Sequence, residues 1–151
     1  MNPRLKKVAI RSMLVHDLPD VMAIERHSHN SAWSDNNFKS EMRNDCAHAF
    51  VAHEEHRIVG YLVFWLVHDE VYLLNLTVHK DFRRCGLGQK LVAFLIDFSR
   101  HHGARWIGLE VRKSNHSALS IYGRFGFRQE RVRKAYYQDN HEDGIVMELE
   151  L

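Results

Sequence analysis

The sequence is poor in cysteine and contains no long apolar run. Its 151 residues include two cysteines, Cys46 and Cys85, whose separation matches no metal-binding spacing. Two isolated cysteines argue against a disulfide scaffold and favour a reducing compartment. No run of about 18 apolar residues is present, so no membrane span is predicted. The basic start MNPRLKKVAI lacks the apolar core of a signal peptide, which completes the prediction of a cytoplasmic protein.

Strong charge of one sign is also missing. The formal net charge is +2, which is too small to predict nucleic-acid binding from charge alone. The chain has two prolines and no low-complexity segment, internal repeat or linker-like stretch. We therefore predict one domain over residues 1–151, long enough to bury its own hydrophobic core.

Histidine, in contrast, is abundant, because the chain holds twelve. None of them forms an HExxH motif or a Cys/His cluster. His27, His29, His101 and His102 fall at the ends of predicted helices. We interpret them as solvated surface histidines and predict no metal site.

The hydrophobic periodicity predicts an α/β protein with a mixed sheet. Four helices are predicted, starting near Asp17, Ser34, Leu87 and Ser114. Asp17, Ser34 and Ser114 are the predicted N-caps, and Gly126 ends the last helix. Strands are predicted over 8–14, 48–54, 58–67, 71–78, 104–112, 128–137 and 144–151. The segment from about 71 to 111 is a strand–helix–strand unit, which predicts a parallel pair of strands.

The stretch FRRCGLGQKLV, residues 82–92, places a glycine-rich turn at the start of an amphipathic helix. A helix start offers unpaired N–H groups and the positive end of the helix dipole, which together bind anions. Gly86 and Gly88 permit close approach of the backbone, and Arg83 and Arg84 add positive charge. The alternative is a plain strand–helix turn with solvated arginines.

The spacing limits which phosphate ligand this turn can bind. The Walker A pattern GxxxxGK[ST] is absent, which excludes that class of nucleotide site. The turn follows a strand as in a dinucleotide-binding motif, but Leu91 occupies the place of the third glycine and no second mononucleotide-binding half follows. A Rossmann-type site is therefore disfavoured.

The sequence RRCGLG, residues 83–88, resembles the R/Q-x-x-G-x-G/A signature of the GCN5-related N-acetyltransferase (GNAT) family. The segments AWSDNNF (32–38), LEVRKSNHSALSIYGRFGF (109–127) and AYYQDNHEDGIVMEL (135–149) are similar to the RimI-type ribosomal-protein-alanine N-acetyltransferases of that family. The resemblance covers essentially the whole chain. It implies the GNAT fold, a mostly antiparallel seven-stranded sheet flanked by about four helices, and acetyl-coenzyme A as cosubstrate.

The resemblance also implies roles for individual residues. Glu110 would be the general base and Tyr122 the general acid of a direct transfer. The coenzyme contacts that it implies are Leu76, Thr77, Val78, Arg83, Arg84, Cys85, Gly86, Leu87, Gly88, Gln89 and Asn115. From the residues alone, Glu110 could instead pair with a neighbour such as Arg112, and Tyr122 could be a core aromatic. No recognised histidine pattern accompanies Cys85, so a covalent mechanism is not predicted.

The acceptor is implied by the same resemblance. Trp33, Tyr136 and Tyr137 could line a peptide groove that binds it, or could be core aromatics. The hairpin acids Asp139, Glu142 and Asp143 could complement a basic peptide or could simply be solvated. We predict acetylation of a protein N-terminus, with the N-terminal alanine of a small-subunit ribosomal protein as acceptor. The alternatives are a lysine side chain or a small amine, and a ribosome-associated coenzyme-binding module without turnover.

Overall fold

The computed structural model describes residues 2–151 and confirms the predicted order of elements. The helices are α1 (Leu18–Ser28), α2 (Asp35–Met42), α3 (Leu87–His101) and α4 (His116–Arg124). The strands are β1 (Val8–Ser12), β2 (Ala47–Glu54), β3 (Arg57–Val67), β4 (Glu70–Val78), β5 (Trp106–Arg112), β6 (Arg128–Arg133) and β7 (Gly144–Glu150). Short 3₁₀ turns cover Pro3–Lys7, Val15–Asp17 and Lys80–Phe82.

The seven strands follow the order β1-β2-β3-β4-β5-β7-β6. β4 and β5, which α3 connects, are parallel over Glu70–Tyr72 and Trp106–Gly108, as the strand–helix–strand pattern predicts. The pairs β1–β2, β2–β3, β5–β7 and β6–β7 are antiparallel. The predicted mixed, mostly antiparallel sheet is confirmed. The edge strand β6 is exposed throughout and carries the sequence RQERVR, whose charges discourage pairing with another chain.

The chain divides into two compact units, each with its own buried side chains. The first contains the described residues up to Trp65 together with Leu74–Leu91, and its core includes Leu18, Val21, Phe38, Tyr61 and Val63. The second contains Leu66–Leu73 and Val92–Leu151, and its buried residues include Leu95, Ile107, Tyr122, Phe127 and Val146. The assignment of residues 1–151 to one domain remains a prediction.

The helix caps partly follow the sequence prediction. Ser34 caps α2 as expected, because its side chain accepts a hydrogen bond from the Asn37 N–H in a capping box. The prediction of Ser114 as the cap of α4 is wrong. Asn115 is the cap, and its Oδ1 accepts from the Ala118 N–H at 3.2 Å. Ser114 instead donates its own N–H to the Glu142 carboxylate, a partner 28 residues away that local sequence does not reveal.

Asp17 precedes α1 as predicted but makes no side-chain cap. Its carboxylate accepts two hydrogen bonds from Arg11, both at 2.8 Å, and one from the Leu14 N–H at 2.7 Å. The predicted strand 128–137 is also too long. It ends at Arg133, because Ala135 has a φ of +49° that no extended strand can contain.

Within residues 2–151, every helix is too short or too polar to qualify as a membrane span.

Candidate active site

The turn at residues 83–86 reverses the chain before α3. Arg84 and Gly86 have φ values of +59° and +92°, and the first helical hydrogen bond runs from the Lys90 N–H to the Gly86 carbonyl at 3.0 Å. The four N–H groups from Gly86 to Gln89 therefore have no acceptor within the helix. They lie at the positive end of the helix dipole, a geometry that suits an anion such as phosphate.

Several contacts hold this turn in place. The Phe82 ring is buried, with the Arg4 guanidinium 3.9 Å from its centroid. The Lys90 ammonium donates to the Val8 carbonyl at 2.6 Å, which ties α3 to the N-terminal segment. The Cys85 thiol donates to the Phe82 carbonyl at 2.7 Å, so its contact is with the backbone of the turn.

Arg83 in the turn contacts Val78 at the end of β4, so these two predicted coenzyme contacts lie together. Its Nε donates to the Val78 carbonyl at 3.4 Å, and its guanidinium also donates to the Ser28 hydroxyl at 3.2 Å. Arg83 and Arg84 are both exposed, which leaves positive charge beside the free N–H groups.

A buried carboxylate on α1 organises the first unit. Glu25 is 1% exposed. Its Oε1 accepts from the Tyr61 hydroxyl at 2.7 Å and from Asn75 Nδ2 at 2.9 Å, while its Oε2 accepts from the Trp33 N–H at 2.9 Å. Burial and the Glu25 charge raise the pKa of Tyr61 well above its ordinary value. One carboxylate thus fixes the main chain at Trp33 and the side chain of Asn75 in β4.

The network continues to His29. The Thr77 hydroxyl donates to Asn75 Oδ1 at 2.8 Å, and His29 Nε2 lies 2.9 Å from the same hydroxyl oxygen. Since the only hydroxyl proton is directed to Asn75, His29 must donate through Nε2. His29 Nε2 also lies 3.8 Å from Glu25 Oε1. His29 is a surface histidine as predicted, with its side chain 41% exposed, and its ring is in addition hydrogen-bonded to Thr77. Among residues 2–151, no group of three metal-ligating side chains is found.

In the second unit, Glu110 lies on β5 with its side chain 30% exposed. Its Oε1 is 3.2 Å from Arg133 Nε. The neighbouring Glu110 carboxylate, together with burial, raises the pKa of Tyr136. The suggested pairing of Glu110 with Arg112 is wrong, because Arg112 has other partners. The predicted catalytic Glu110 and the predicted substrate contact Tyr136 are brought together.

Arg112 binds the acidic hairpin. It contacts the Asp139 carboxylate at 2.8 Å and the Glu142 carboxylate at 3.5 Å. Asp143 accepts from the Ala135 N–H at 2.9 Å, a bond that is the largest cause of its lowered pKa. These acids therefore have partners within the chain and are not simply solvated, whereas their complementarity to a basic peptide stays a prediction.

The remaining predicted residues of this unit are aromatic or polar. Tyr122 on α4 is 7% exposed and packs against Phe127, with ring centroids 5.4 Å apart. Burial raises the pKa of the Tyr122 phenol, which keeps its proton at neutral pH. The Arg112 guanidinium lies 4.0 Å from the Tyr137 ring centroid, and burial raises the pKa of Tyr137 to about 12. Asn115 uses its side-chain oxygen as the cap of α4.

The similarity of this chain to known proteins identifies its family. Residues 10–127 match the model of the Acetyltransferase (GNAT) family. The chain belongs to the GNAT acetyltransferase family. It is therefore an acetyl-coenzyme A-dependent N-acetyltransferase, as the turn motif predicted.

Relatives and solved structures match nearly the whole chain. The acetyltransferase is 34% identical to the [Ribosomal protein bS18]-alanine N-acetyltransferase of Escherichia coli K12, over 93% of this chain and 95% of the relative. It matches the crystal structure of the ribosomal-protein-S18-alanine N-acetyltransferase from Escherichia coli with a TM-score of 0.88 and 33% identity, covering 95% of this chain and 93% of the other. It also shares its fold with Arabidopsis thaliana NAA60 in complex with acetyl-CoA, with a TM-score of 0.86, 18% identity and coverage of 95% and 99%.

Proposed function

We propose that this acetyltransferase moves the acetyl group of acetyl-coenzyme A to the α-amine of an N-terminal alanine in a small-subunit ribosomal protein, bS18 or its counterpart. The observation that carries the proposal is the similarity, along nearly the whole of both chains, to the Escherichia coli enzyme whose name states this acceptor. We extend the proposal to residues 1–151 as one N-acetyltransferase domain that works in the cytoplasm.

The turn from Arg83 to Gln89 would bind the pyrophosphate of the coenzyme. Its support is the set of N–H groups at the start of α3, the two exposed arginines, and the positive φ of Gly86. Coenzyme contacts assigned here are Arg83, Arg84, Cys85, Gly86, Leu87, Gly88 and Gln89, with Asn115 as a further one. When bound, the cosubstrate supplies the acetyl group as a thioester.

Residues Leu76, Thr77 and Val78 would offer main-chain groups to the pantetheine arm. The Thr77 hydroxyl is already engaged by Asn75 and His29, so the main chain is what this segment has to offer. An N–H group held in this way can stabilise the oxyanion that forms when an amine attacks a thioester.

Glu110 would act as general base and remove a proton from the acceptor ammonium, directly or through a water molecule. The supporting features are its partial exposure and the fixed direction of its carboxylate, which Arg133 and Tyr136 hold. The Arg133 side chain is 42% exposed, so this cation can move aside when the carboxylate takes up a proton.

Tyr122 would act as general acid toward the leaving thiolate. A thiolate with an intrinsic pKa of about 8.5 leaves more readily when a nearby phenol donates a proton. The raised pKa of the buried Tyr122 phenol ensures that this proton is present at neutral pH.

Trp33, Tyr136 and Tyr137 would contact the acceptor peptide. Tyr136 is 41% exposed and lies near enough to Glu110 for that carboxylate to raise its pKa, so a peptide bound against its ring would have its amine close to the proposed base. Glu25 binds the Trp33 N–H, and this contact fixes the backbone position from which the Trp33 indole extends.

The acceptor is tested with a panel of peptides and mass-spectrometric localisation of the acetyl group. The panel contains Ala-, Ser- and Met-starting peptides and an N-blocked peptide with one lysine. We expect the α-amine of the Ala peptide to be acetylated fastest. Fastest acetylation of the lysine side chain would overturn the proposed acceptor.

The proposed base is tested with Glu110→Gln, which preserves size and removes the charge. Turnover should fall by about 10²–10⁴-fold while coenzyme affinity is retained. The control is Glu130→Gln, which removes the same charge from the exposed edge strand β6. Near-normal turnover of Glu110→Gln across the pH range would reassign Glu110 to a structural ion pair with Arg133.

A further inference from the structure

A groove in the first unit lies between α2 and the strands β3 and β4. Its volume is about 320 Å³, enough for one long side chain, and it is lined by Trp33, Asn37, Ser40, Glu41, Trp65 and Leu74. We call it the α2 groove. One of its walls, Trp33, is a residue already assigned to acceptor binding.

Two indoles and one carboxylate dominate this lining. The Trp65 indole N–H donates to Glu41 Oε2 at 2.7 Å, which holds the carboxylate against the edge of the ring. The Trp33 ring packs on Phe38 with centroids 5.0 Å apart, and Phe38 packs in turn on Tyr61 at 5.8 Å. Both aromatic walls are therefore attached to fixed groups and are formed before any ligand arrives.

The charge of Glu41 is not balanced inside the described part of the chain. Within residues 2–151, no lysine, arginine or histidine lies within ion-pair distance of its carboxylate, and the only hydrogen bond to it comes from neutral Trp65. Lys39, which lies two residues before Glu41 on α2, is already paired with Asp35 at 2.8 Å. A half-buried carboxylate in a lining that also contains two indoles attracts a cation.

We propose that the α2 groove binds the side chain of an arginine that lies a few residues after the acetylated N-terminus of the acceptor. A guanidinium can lie flat on an indole while its N–H groups donate to a carboxylate, a combination that a lysine ammonium does not match. This inference rests on the proposed function, because it takes the ligand to be the acceptor chain itself.

The experiment places one arginine at each position from 2 to 6 of an otherwise neutral Ala-starting peptide. We expect one position to raise kcat/KM by about tenfold over the neutral parent, equivalent to about 1.4 kcal/mol, chiefly through a lower KM, because the bound arginine adds a cation–π contact and an ion pair. Replacing that arginine by citrulline, which has the same shape without the charge, should remove the gain.

The enzyme side is tested with Glu41→Gln, whose amide oxygen can still accept from Trp65. The ratio of kcat/KM for the arginine peptide to that for the neutral parent should fall to about one. The control, Glu55→Gln, removes a charge from the exposed turn between β2 and β3 and should leave the ratio unchanged.

The outcomes separate the two proposals. If every Ala peptide is acetylated at its α-amine with equal kcat/KM, the α2 groove is not an arginine site and the proposed acceptor stands. If the citrulline peptide has the same kcat/KM as the arginine peptide, the groove recognises the shape of the side chain and the proposed role of charge is overturned. If no Ala peptide is acetylated, the proposed acceptor is wrong and the assignment of the groove is withdrawn with it.

Discussion

Replacement of Glu25 by alanine should destabilise the protein strongly. The change leaves three donors without an acceptor: the buried Tyr61 hydroxyl, the buried Asn75 amide and the part-buried Trp33 N–H. Each stranded donor costs about 1–3 kcal/mol, so the simple sum is about 3–9 kcal/mol. Water entering the vacated space would satisfy part of this demand, and we expect a loss of about 3–5 kcal/mol in the free energy of unfolding.

Urea unfolding at pH 7, followed by tryptophan fluorescence, measures this loss. The graded control is Tyr61→Phe, which removes one donor and leaves Glu25 with two, and should cost about 1 kcal/mol. Glu25→Gln retains one oxygen acceptor and should fall between the two. A loss below about 1 kcal/mol for Glu25→Ala would show that the carboxylate does not hold these segments together.

Three further predictions concern the turn, the proposed acid and a structural ion pair. Gly86→Ala should weaken coenzyme binding severely in a calorimetric titration. The control Gly103→Ala should not, although it suffers a similar strain at a φ of +77°, with nothing within 4 Å of the added carbon. Equal affinities of the two variants would contradict the phosphate assignment. Tyr122→Phe should lower turnover by about 10²-fold or more with little change in melting temperature, and normal turnover would leave Tyr122 as a core aromatic. Asp17→Asn should cost about 1–2 kcal/mol at pH 7. Because the Arg11 hydrogen bonds lower the folded pKa of Asp17 below the unfolded value near 3.9, this contribution is complete above about pH 5 and is lost as the pH falls through the folded pKa. The difference between variant and parent in urea unfolding should therefore shrink at pH 3, and a constant difference would refute the role of the ion pair.

Local patterns in the sequence determined the order of elements. Alternating and 3.6-residue periodicities reflect which side of each element faces the core, and that property belongs to each segment by itself. The cap at Ser34 and the glycine turn before α3 were predictable for the same reason, since their hydrogen bonds join residues at most four apart. The motif RRCGLG indicated the family for the same reason, because all the residues of this helix start lie within six positions of the sequence.

Partners distant in the sequence were decided by the tertiary structure alone. Glu25 lies on the buried face of α1, and only its contacts with Tyr61 and Asn75, 36 and 50 residues away, explain why a carboxylate is buried there. The partner of Glu110 is Arg133 rather than Arg112, because Arg112 is bound by acids that the hairpin brings back to it. A charge can be buried only where other parts of the chain supply its hydrogen bonds, and no local pattern records which parts those are.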